Sequence, residues 1–305
     1  MHVSICIATC YRPKLLSRLL INLSTLTFRK APCPEITIVV VDNDARGSAE
    51  EVCRQALLPW PLTYLIEPKR GIPSARNRAL RHSSDADCIA LIDDDEAPHS
   101  MWLDELLWTQ STFAADVVSG PVIPVFAEGV PDWIKRTGFF NRPIYSSGTL
   151  LSVCSSNNTL ISKRVIHNIP TFDEQFRLTG ADDTHYFTKV NRAGFKIVSS
   201  SDAIVFEAID RDRANLSNLM MRSYRGGNAY ALVEWSLDKR LSTRMKRIVK
   251  GCGRIVQGLG GMIISPVRGM VPTVRAMSRI WQGFGMLTAS VVGSVYEQYE
   301  TVKGQ

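Results

Sequence analysis

The sequence predicts an α/β protein: a mainly parallel, Rossmann-like sheet flanked by helices, followed by a basic helical tail. Three observations point there. Apolar runs at residues 3–9, 35–41, 62–66 and 88–92 alternate with helix-length amphipathic segments, the rhythm of right-handed βαβ crossovers. The second and fourth runs end abruptly in carboxylates, Asp42-Asn43-Asp44 and Asp93-Asp94-Asp95-Glu96, as buried parallel strands do where they leave the sheet at a ligand crevice. From Lys239 onward the composition changes: eleven Lys and Arg stand against Glu297 and Glu300, a charge of +9 that leaves −2 on residues 1–238 within the total of +7.

The first strand, residues 3–9, leads through Arg12-Pro13 into a helix whose leucines 15, 16, 19, 20, 23 and 26 make one apolar face, with Pro at its first turn. A second strand covers Glu35 to Val41, and Ser48 with Glu51 has the spacing of a capping box for the next helix. A third strand, Leu62 to Ile66, turns through Glu67 to Gly71 into a helix led by Pro73 and carrying Arg76, Asn77 and Arg78. The fourth strand holds Cys88 to Ile92 and delivers the acidic stretch, after which a helix is expected around Trp102 to Trp108. Asp116 to Val125 reads as a fifth strand.

Beyond it the regularity weakens. Residues 126–150 are rich in Gly, Pro and aromatics, including Trp133, Phe139, Phe140 and Tyr145; loops this long are commonly functional. Asn157 to Arg164 has strand character, Asp182 to Ala193 reads as a helix ended by Gly194, and Phe195 to Ala208 as further strand. A helix from about Asn215 carries Arg222 and Arg225, and Gly226-Gly227 is expected to bend or end it. The division expected is a catalytic domain over 1–238, with a nucleotide half to about 125 and an acceptor half from 126, then a tail over 239–305.

The tail's longest uncharged runs, Ile255 to Val267 and Ile280 to Tyr296, are shorter than the roughly 20 apolar residues that cross a bilayer. Arg-studded amphipathic segments on an anionic membrane surface are expected, each basic residue contributing on the order of 1 kcal/mol; the alternative is a helical unit packed on the core with a solvated basic face. The seven cysteines show neither metal spacing nor a disulfide framework. The N-terminus enters a strand directly, without the pattern of an export signal. A protein on the cytoplasmic, inner face of the cell membrane is therefore expected, with no nucleic-acid partner.

The strand ends gather the chemistry. Asp42, Asp44, Glu67, Arg76 and Asp93 to Asp95 all fall at or just beyond predicted carboxyl ends, so one crevice collects them. Four adjacent acids repel one another unless a cation sits among them, and oxygen ligands suit a hard divalent ion. In strand alternation Asp93 and Asp95 converge while Asp94 points elsewhere; a solvated acidic turn before a helix is the competing reading. No glycine-rich dinucleotide fingerprint follows the first strand and no Gly-Lys-Ser phosphate loop occurs, which removes support for hydride transfer and P-loop chemistry.

Five motifs in order then resemble family 2 glycosyltransferases of the GT-A fold over roughly residues 1–230: Val3-Ser4-Ile5-Cys6-Ile7-Ala8-Thr9, Val40-Val41-Asp42-Asn43, Gly71-Ile72-Pro73-Ser74-Ala75-Arg76-Asn77, Asp93-Asp94-Asp95 and Thr179-Gly180-Ala181-Asp182-Asp183. Each is weak alone; their common register is specific. The resemblance is to bacterial enzymes that assemble exopolysaccharide repeat units on a lipid carrier. It implies that Asp42 contacts the nucleotide base, that Arg76 lines the nucleotide pocket together with Thr9 and Glu67, and that Asp93 or Asp94 meets the ribose. It further implies that Asp95 holds Mg2+ or Mn2+ at the diphosphate and that Asp183 is the general base. Where the family has Gly-Gly-Glu-Asp this chain has Ala181 and Asp182, so Asp182 is one methylene short.

The resemblance thus implies an inverting, metal-assisted single displacement from a nucleoside diphosphate sugar, UDP being the commonest, to a lipid-linked or saccharide acceptor, most simply one on a polyprenyl diphosphate. Arg222 and Arg225, one turn apart, brace a diphosphate or form a solvated basic face; Asn157 with Asn158 orients an acceptor or shapes a turn; Trp133 stacks on a sugar or packs a lid. Glu207 closes a strand and is expected to support the arginines after it. A sugar nucleotidyltransferase or a silent nucleotide-binding membrane scaffold are the rival classes; the first lacks its glycine-rich, Arg-containing loop here, since Thr9-Cys10-Tyr11-Arg12 stands in that place.

Overall fold

A computed structural model describes residues 1–177 and 179–292; the end of the predicted second tail run, with Glu297, Glu300 and Lys303, lies outside the described residues. Four parallel strands form the first half of the sheet: β1 (His2–Thr9), β2 (Glu35–Asp42), β3 (Leu62–Ile66) and β4 (Cys88–Asp93). The alternation of apolar side chains fixes their faces. Val3, Ile5 and Ile7, with Cys88, Ala90 and Ile92, join α1 (Pro13–Leu23) and α4 (Trp102–Thr112) in one core cluster; Cys6, Ile89 and Leu91 face α3 (Ile72–His82) in another. Both faces are buried, which is why these strands read as near-continuous apolar runs.

The full sheet has the order β3-β2-β1-β4-β8-β6-β9, with β8 (Asn158–Ser162) antiparallel to β4 and to β6 (Val117–Ser119), and β9 (Ile197–Ser199) parallel to β6. Strand order reverses between β1 and β4, the switch point at which open α/β sheets bind ligands. A second, three-stranded sheet, β5-β10-β7, joins β5 (Glu96–Pro98), β10 (Val205–Ile209) and β7 (Val122–Phe126).

Several expectations are corrected. The predicted fifth strand is two, β6 and β7, in different sheets: the chain changes sheets at Gly120-Pro121, and a Cβ on Gly120 would stand 2.9 Å or less from Asn158. The stretch Phe195 to Ala208 divides likewise into β9 and β10, and the strand expected over Asn157 to Arg164 stops at Ser162, where α6 (Lys163–Asn168) begins. The capping box fails. α2 (Glu50–Gln55) starts without a side-chain cap, Ser48 donates to Asp42 at 3.4 Å, and Glu51 is taken by Arg54 and Gln55. The acidic triplet is not strand throughout, because Asp94 and Asp95 form the turn between β4 and β5.

α7 (Asp182–Arg192) follows the predicted bounds to within a residue. α8 (Leu216–Leu237) runs unbroken through Gly226-Gly227, since Gly227 is where α10 (Met270–Leu287) crosses, its space filled by the Gln282 backbone. α9 (Leu241–Arg268) packs on α10 with the same economy, a Cβ on Gly283 falling 2.6 Å from the Gly251 carbonyl oxygen. This three-helix unit is fastened to the sheet half by Leu219, Met220 and Val274 against Ile209 and the α5 (Asp132–Thr137) side chain Ile134, and by Arg275 donating to the Thr137 carbonyl at 3.1 Å. Arg244 and Arg247 are likewise engaged within it, with the Val291 carbonyl and Glu234, so part of the tail's basic charge braces helices.

Candidate functional site

Sheet register brings the strand ends together: Thr9 lies opposite Asp42, and Ala8 opposite Asp93. Across the switch point the Thr9 hydroxyl donates to Asp94 at 2.7 Å. Arg12, from the loop after β1, donates to Asp94 at 3.2 Å and lies 3.5 Å from Asp95, so Asp94 and Asp95 share a cation rather than pointing apart. Burial pushes the Asp94 carboxyl up to about 7, with Arg12 and Thr9 pulling it down and Asp95 adding to the rise. Burial, then the Asp93 charge, raises Asp95 too. From the other half of the chain Arg213 approaches Asp95 at 3.6 Å while it is held by Glu207 at 2.5 Å, the support expected of Glu207. Neither pairing with Asp95 is visible in the sequence, since both arginines lie in loops and each contact spans distant segments.

Arg76 is the hub of the second cluster. Its guanidinium is 8% exposed and donates to Asp182 at 2.6 Å and to Asp93 at 3.2 Å. Burial opposes its charge, yet Asp182, Asp93 and Asp183 together raise its pKa. Burial raises the Asp182 carboxyl, and Arg76 is the main force holding it down. The shorter side chain at 182 thus has a definite partner. Asp183, the next residue at the start of α7, accepts from the Ser155 hydroxyl at 3.0 Å and is half-buried. The loop before α3 is fixed by Asn43, which accepts from the Gly71 amide at 2.7 Å and donates to the Glu67 and Lys69 carbonyls. Gly71 has φ +127°, and a Cβ there would stand 2.6 Å from Arg177 Cβ, so only glycine fits.

Two of the expected nucleotide contacts already hold protein partners. Asp42 is fully buried, and its carboxylate accepts from the amides of Asp44 and Ala49 at 3.0 and 2.7 Å and from the hydroxyls of Tyr64 and Ser48 at 2.9 and 3.4 Å. A carboxylate so supplied shapes the loop over residues 43–49. Glu67 turns to the Lys69 amide at 3.0 Å and to Arg81 at 3.8 Å. The reason is common to both: a desolvated carboxylate at a strand end takes the nearest donors, which a tight loop supplies.

On the far side of the triplet, buried Glu96 accepts from Asn157 at 2.6 Å and from the Asp93 amide at 3.2 Å, and Asn157 accepts from Arg142 at 3.0 Å. Burial raises Glu96 well above the ordinary carboxylate range, the charges of Asp93 and Asp95 adding to it. Sequence reasoning saw Glu96 only as the end of an acidic run. Asn158 is structural, accepting from the Trp102 indole at 2.7 Å and donating to the carbonyls of Pro121 and Ala203. Trp133 packs half-buried against the apolar cluster that joins α5 to α8 and α10. Arg222 stands over the Phe140 ring at 5.4 Å; Arg225 is its neighbour in charge.

Among the described residues no group of three or more His, Cys, Asp or Glu side chains converges as an all-protein metal cage would. The donor set does fit a magnesium-type site of one or two carboxylates completed by water and substrate phosphate: the arginine contacts of Asp95 are long, 3.5 and 3.6 Å, and Asp93 and Asp94 beside it offer further carboxylate oxygens.

Residues 4–169 match the family model Glycosyl transferase family 2. The chain is 30% identical over 234 residues to the succinoglycan biosynthesis protein ExoM of Rhizobium meliloti, covering 75% of this chain and 74% of that protein. It is 26% identical over 224 residues to the glycosyltransferase AglE of Haloferax volcanii, covering 73% and 71%. Among solved structures, S. aureus TarS 1-349 in complex with UDP aligns over 100% of this chain and 95% of its own, with a TM-score of 0.50 at 17% identity. The crystal structure of S. aureus TarS 1-349 gives a TM-score of 0.51 at 16% identity, over 100% of this chain and 95% of that one. At such identities the likeness concerns the fold.

Proposed function

Because this chain belongs to glycosyl transferase family 2 and has the GT-A type of fold, we propose that it moves a sugar from a nucleoside diphosphate sugar, UDP-linked by preference, to a saccharide on a lipid carrier, with inversion at the anomeric carbon. The observation that carries this reading is the convergence at the switch point. Asp93, Asp94 and Asp95 stand at the end of β4, and Arg76 joins Asp93 to Asp182 beside Asp183. ExoM's name places it in polysaccharide synthesis and TarS was solved with UDP, both consistent with such a donor and product.

In this reading Asp93 or Asp94 receives the ribose, and Asp95 is the carboxylate that holds Mg2+ or Mn2+ against the donor diphosphate. When bound, that ion stabilises the negative charge of the departing nucleotide. Asp183 does the proton chemistry: it takes the proton of the acceptor hydroxyl as the oxygen bonds to the anomeric carbon. The bond from that carbon to the phosphate oxygen breaks on the opposite face, and the nucleoside diphosphate leaves with the electron pair. Ser155 orients the Asp183 carboxylate, and Arg76 pairs with Asp182 beside it.

The same proposal puts the protein on an anionic membrane surface. None of the described helices is long and apolar enough to cross a membrane, but α9 carries Met245, Val249, Val256, Leu259, Ile263 and Val267 as one exposed row, up to 92% open at Val267. Exposed Lys246, Lys250 and Arg254 lie beside it, the composition of an interfacial helix. Removing residues 241–305 would also strip α8 of its packing partner, so single substitutions in the row are the cleaner probe. The reading is tested by assaying a panel of nucleotide sugars with lipid-linked acceptors, with and without chelator. Chelator-sensitive transfer is expected; absence of transfer or hydrolysis from every donor would overturn it.

A further inference from the structure

A closed ring of contacts runs around the crevice, and half of it is unused by the steps above. Arg76 ties the Asp93 carboxylate to Asp182, at 3.2 and 2.6 Å, and the residue after Asp182 is Asp183. Asp183 accepts from the Ser155 hydroxyl at 3.0 Å. Two residues along, the Asn157 side-chain amide donates to Glu96 Oε1 at 2.6 Å, and Glu96 Oε2 accepts from the Asp93 amide at 3.2 Å. The ring thus returns to the residue it left. Its stretch from Ser155 to Asn157 is fixed to β8: the Thr159 hydroxyl donates to the Ser155 carbonyl at 2.5 Å, and Asn158 stands opposite Ile92 of β4.

The half formed by Glu96 and Asn157 has a fixed polarity. Arg142 donates to Asn157 at 3.0 Å, and a guanidinium can only donate, so Asn157 turns its oxygen to Arg142 and its N–H groups to Glu96. On the other side Glu96 meets the Asp93 N–H, a second donor. Position 96 therefore needs an acceptor on both sides, which a carboxyl group supplies and a carboxamide of the same shape does not. Packing alone does not favour the acid. Glu96 is 3% exposed, follows Asp93 to Asp95 and stands opposite Glu207 in the pairing of β5 with β10, where like charges repel.

We propose that Glu96 and Asn157 are positioning residues, a polar strut that sets the base Asp183, through Ser155, in register with the Asp93–Asp95 turn that handles the departing nucleotide. This rests on the glycosyltransferase reading and gives the pair a role that needs no contact with donor, metal or acceptor.

The test is a swap. In Glu96→Gln the introduced N–H groups oppose either the Asp93 N–H or those of Asn157; in Asn157→Asp two carboxyl groups face each other. The double variant Glu96→Gln, Asn157→Asp satisfies the whole chain again: the introduced glutamine accepts from Asp93 and donates to the introduced aspartate, which also accepts from Arg142. Each single variant should lower the kcat of transfer about ten- to a hundredfold, the cost of misplacing a reacting group. UDP affinity in the presence of Mn2+ should stay within about threefold, and a larger share of the donor consumed should be lost to hydrolysis. The double variant should return to within about threefold of the wild type. A double variant as slow as the singles would overturn the proposal. So would singles that lose UDP affinity in step with turnover, which would make Glu96 a donor or metal contact. Urea denaturation of the same proteins separates a merely structural pair, since a midpoint that recovers in the double variant while transfer does not would remove the positioning role. If the wild type neither transfers nor hydrolyses any donor, the glycosyltransferase reading fails, and the midpoints still decide the strut: recovery in the double variant supports it and additive losses overturn it.

Discussion

On the nucleotide side of the crevice the fold itself supplies a counter-group for each carboxylate: Arg76 for Asp93 and Asp182, Thr9 and Arg12 for Asp94, two amides and two hydroxyls for Asp42. Across the crevice Arg213 is held by Glu207, and Asp183 accepts from the Ser155 hydroxyl. The first region is preorganised, its charges compensated before any ligand arrives. In the second, on the proposed reading, Asp183 meets the acceptor hydroxyl. Stability should therefore respond chiefly to changes at the compensated pairs of Arg76, Thr9 and Asp42, and turnover to changes at Asp95 and Asp183.

The strongest challenge to this contrast is Arg76→Met. Removing a buried cation that serves Asp182 at 2.6 Å leaves that carboxylate uncompensated and should lower the unfolding free energy by about 3–5 kcal/mol, read from urea denaturation; an unchanged midpoint would mean the pair is not a structural hub. Next is Asp95→Asn, compared with chelation of the wild type. Chelator should suppress transfer on the order of a hundredfold, the equivalent of several kcal/mol of charge stabilisation, and the variant should show a similar deficit that added Mn2+ does not repair. Thr9→Val tests the same side more gently. Asp94 loses its 2.7 Å donor, which should cost about 1–3 kcal/mol in thermal or urea unfolding. The smallest effect on the fold is expected at Ile263→Glu, since that side chain is 80% exposed: transfer to a water-soluble acceptor should be unchanged, while co-sedimentation with vesicles containing anionic lipid should fall. Undiminished vesicle binding would leave α9 as a packing element alone.

The same contrast governs what the sequence reveals. β1 to β4 are legible because strands buried on both faces must be apolar throughout, so the abrupt carboxylates after Ile92 and Val41 mark their ends without any tertiary knowledge. What lay hidden depends on meetings between distant segments. Arg213 reaching Asp95, and Glu96 holding Asn157, carry no periodic signal. Gly120-Pro121 was the visible sign that one apolar stretch serves two sheets, and it resembles an ordinary strand interior until Asn158 and Ala203 are brought against Gly120. Gly227 misled for the opposite reason: a residue that breaks isolated helices is, in α8, the residue that lets α10 approach. Asp42 is legible as a strand-end carboxylate, whereas the four donors that its loop and Tyr64 bring to it are not.

The central claim is that Asp183 takes the acceptor's proton while the triplet governs the departing nucleotide. The most direct test measures transfer, anomeric configuration of the product and UDP affinity together, in the wild type and in Asp183→Asn. The account predicts an inverted product from the wild type, and in the variant a loss of turnover of about 10²–10⁴-fold, the usual contribution of a positioned base, with UDP affinity retained. A retained anomeric configuration, or a variant that loses UDP binding along with activity, would contradict it.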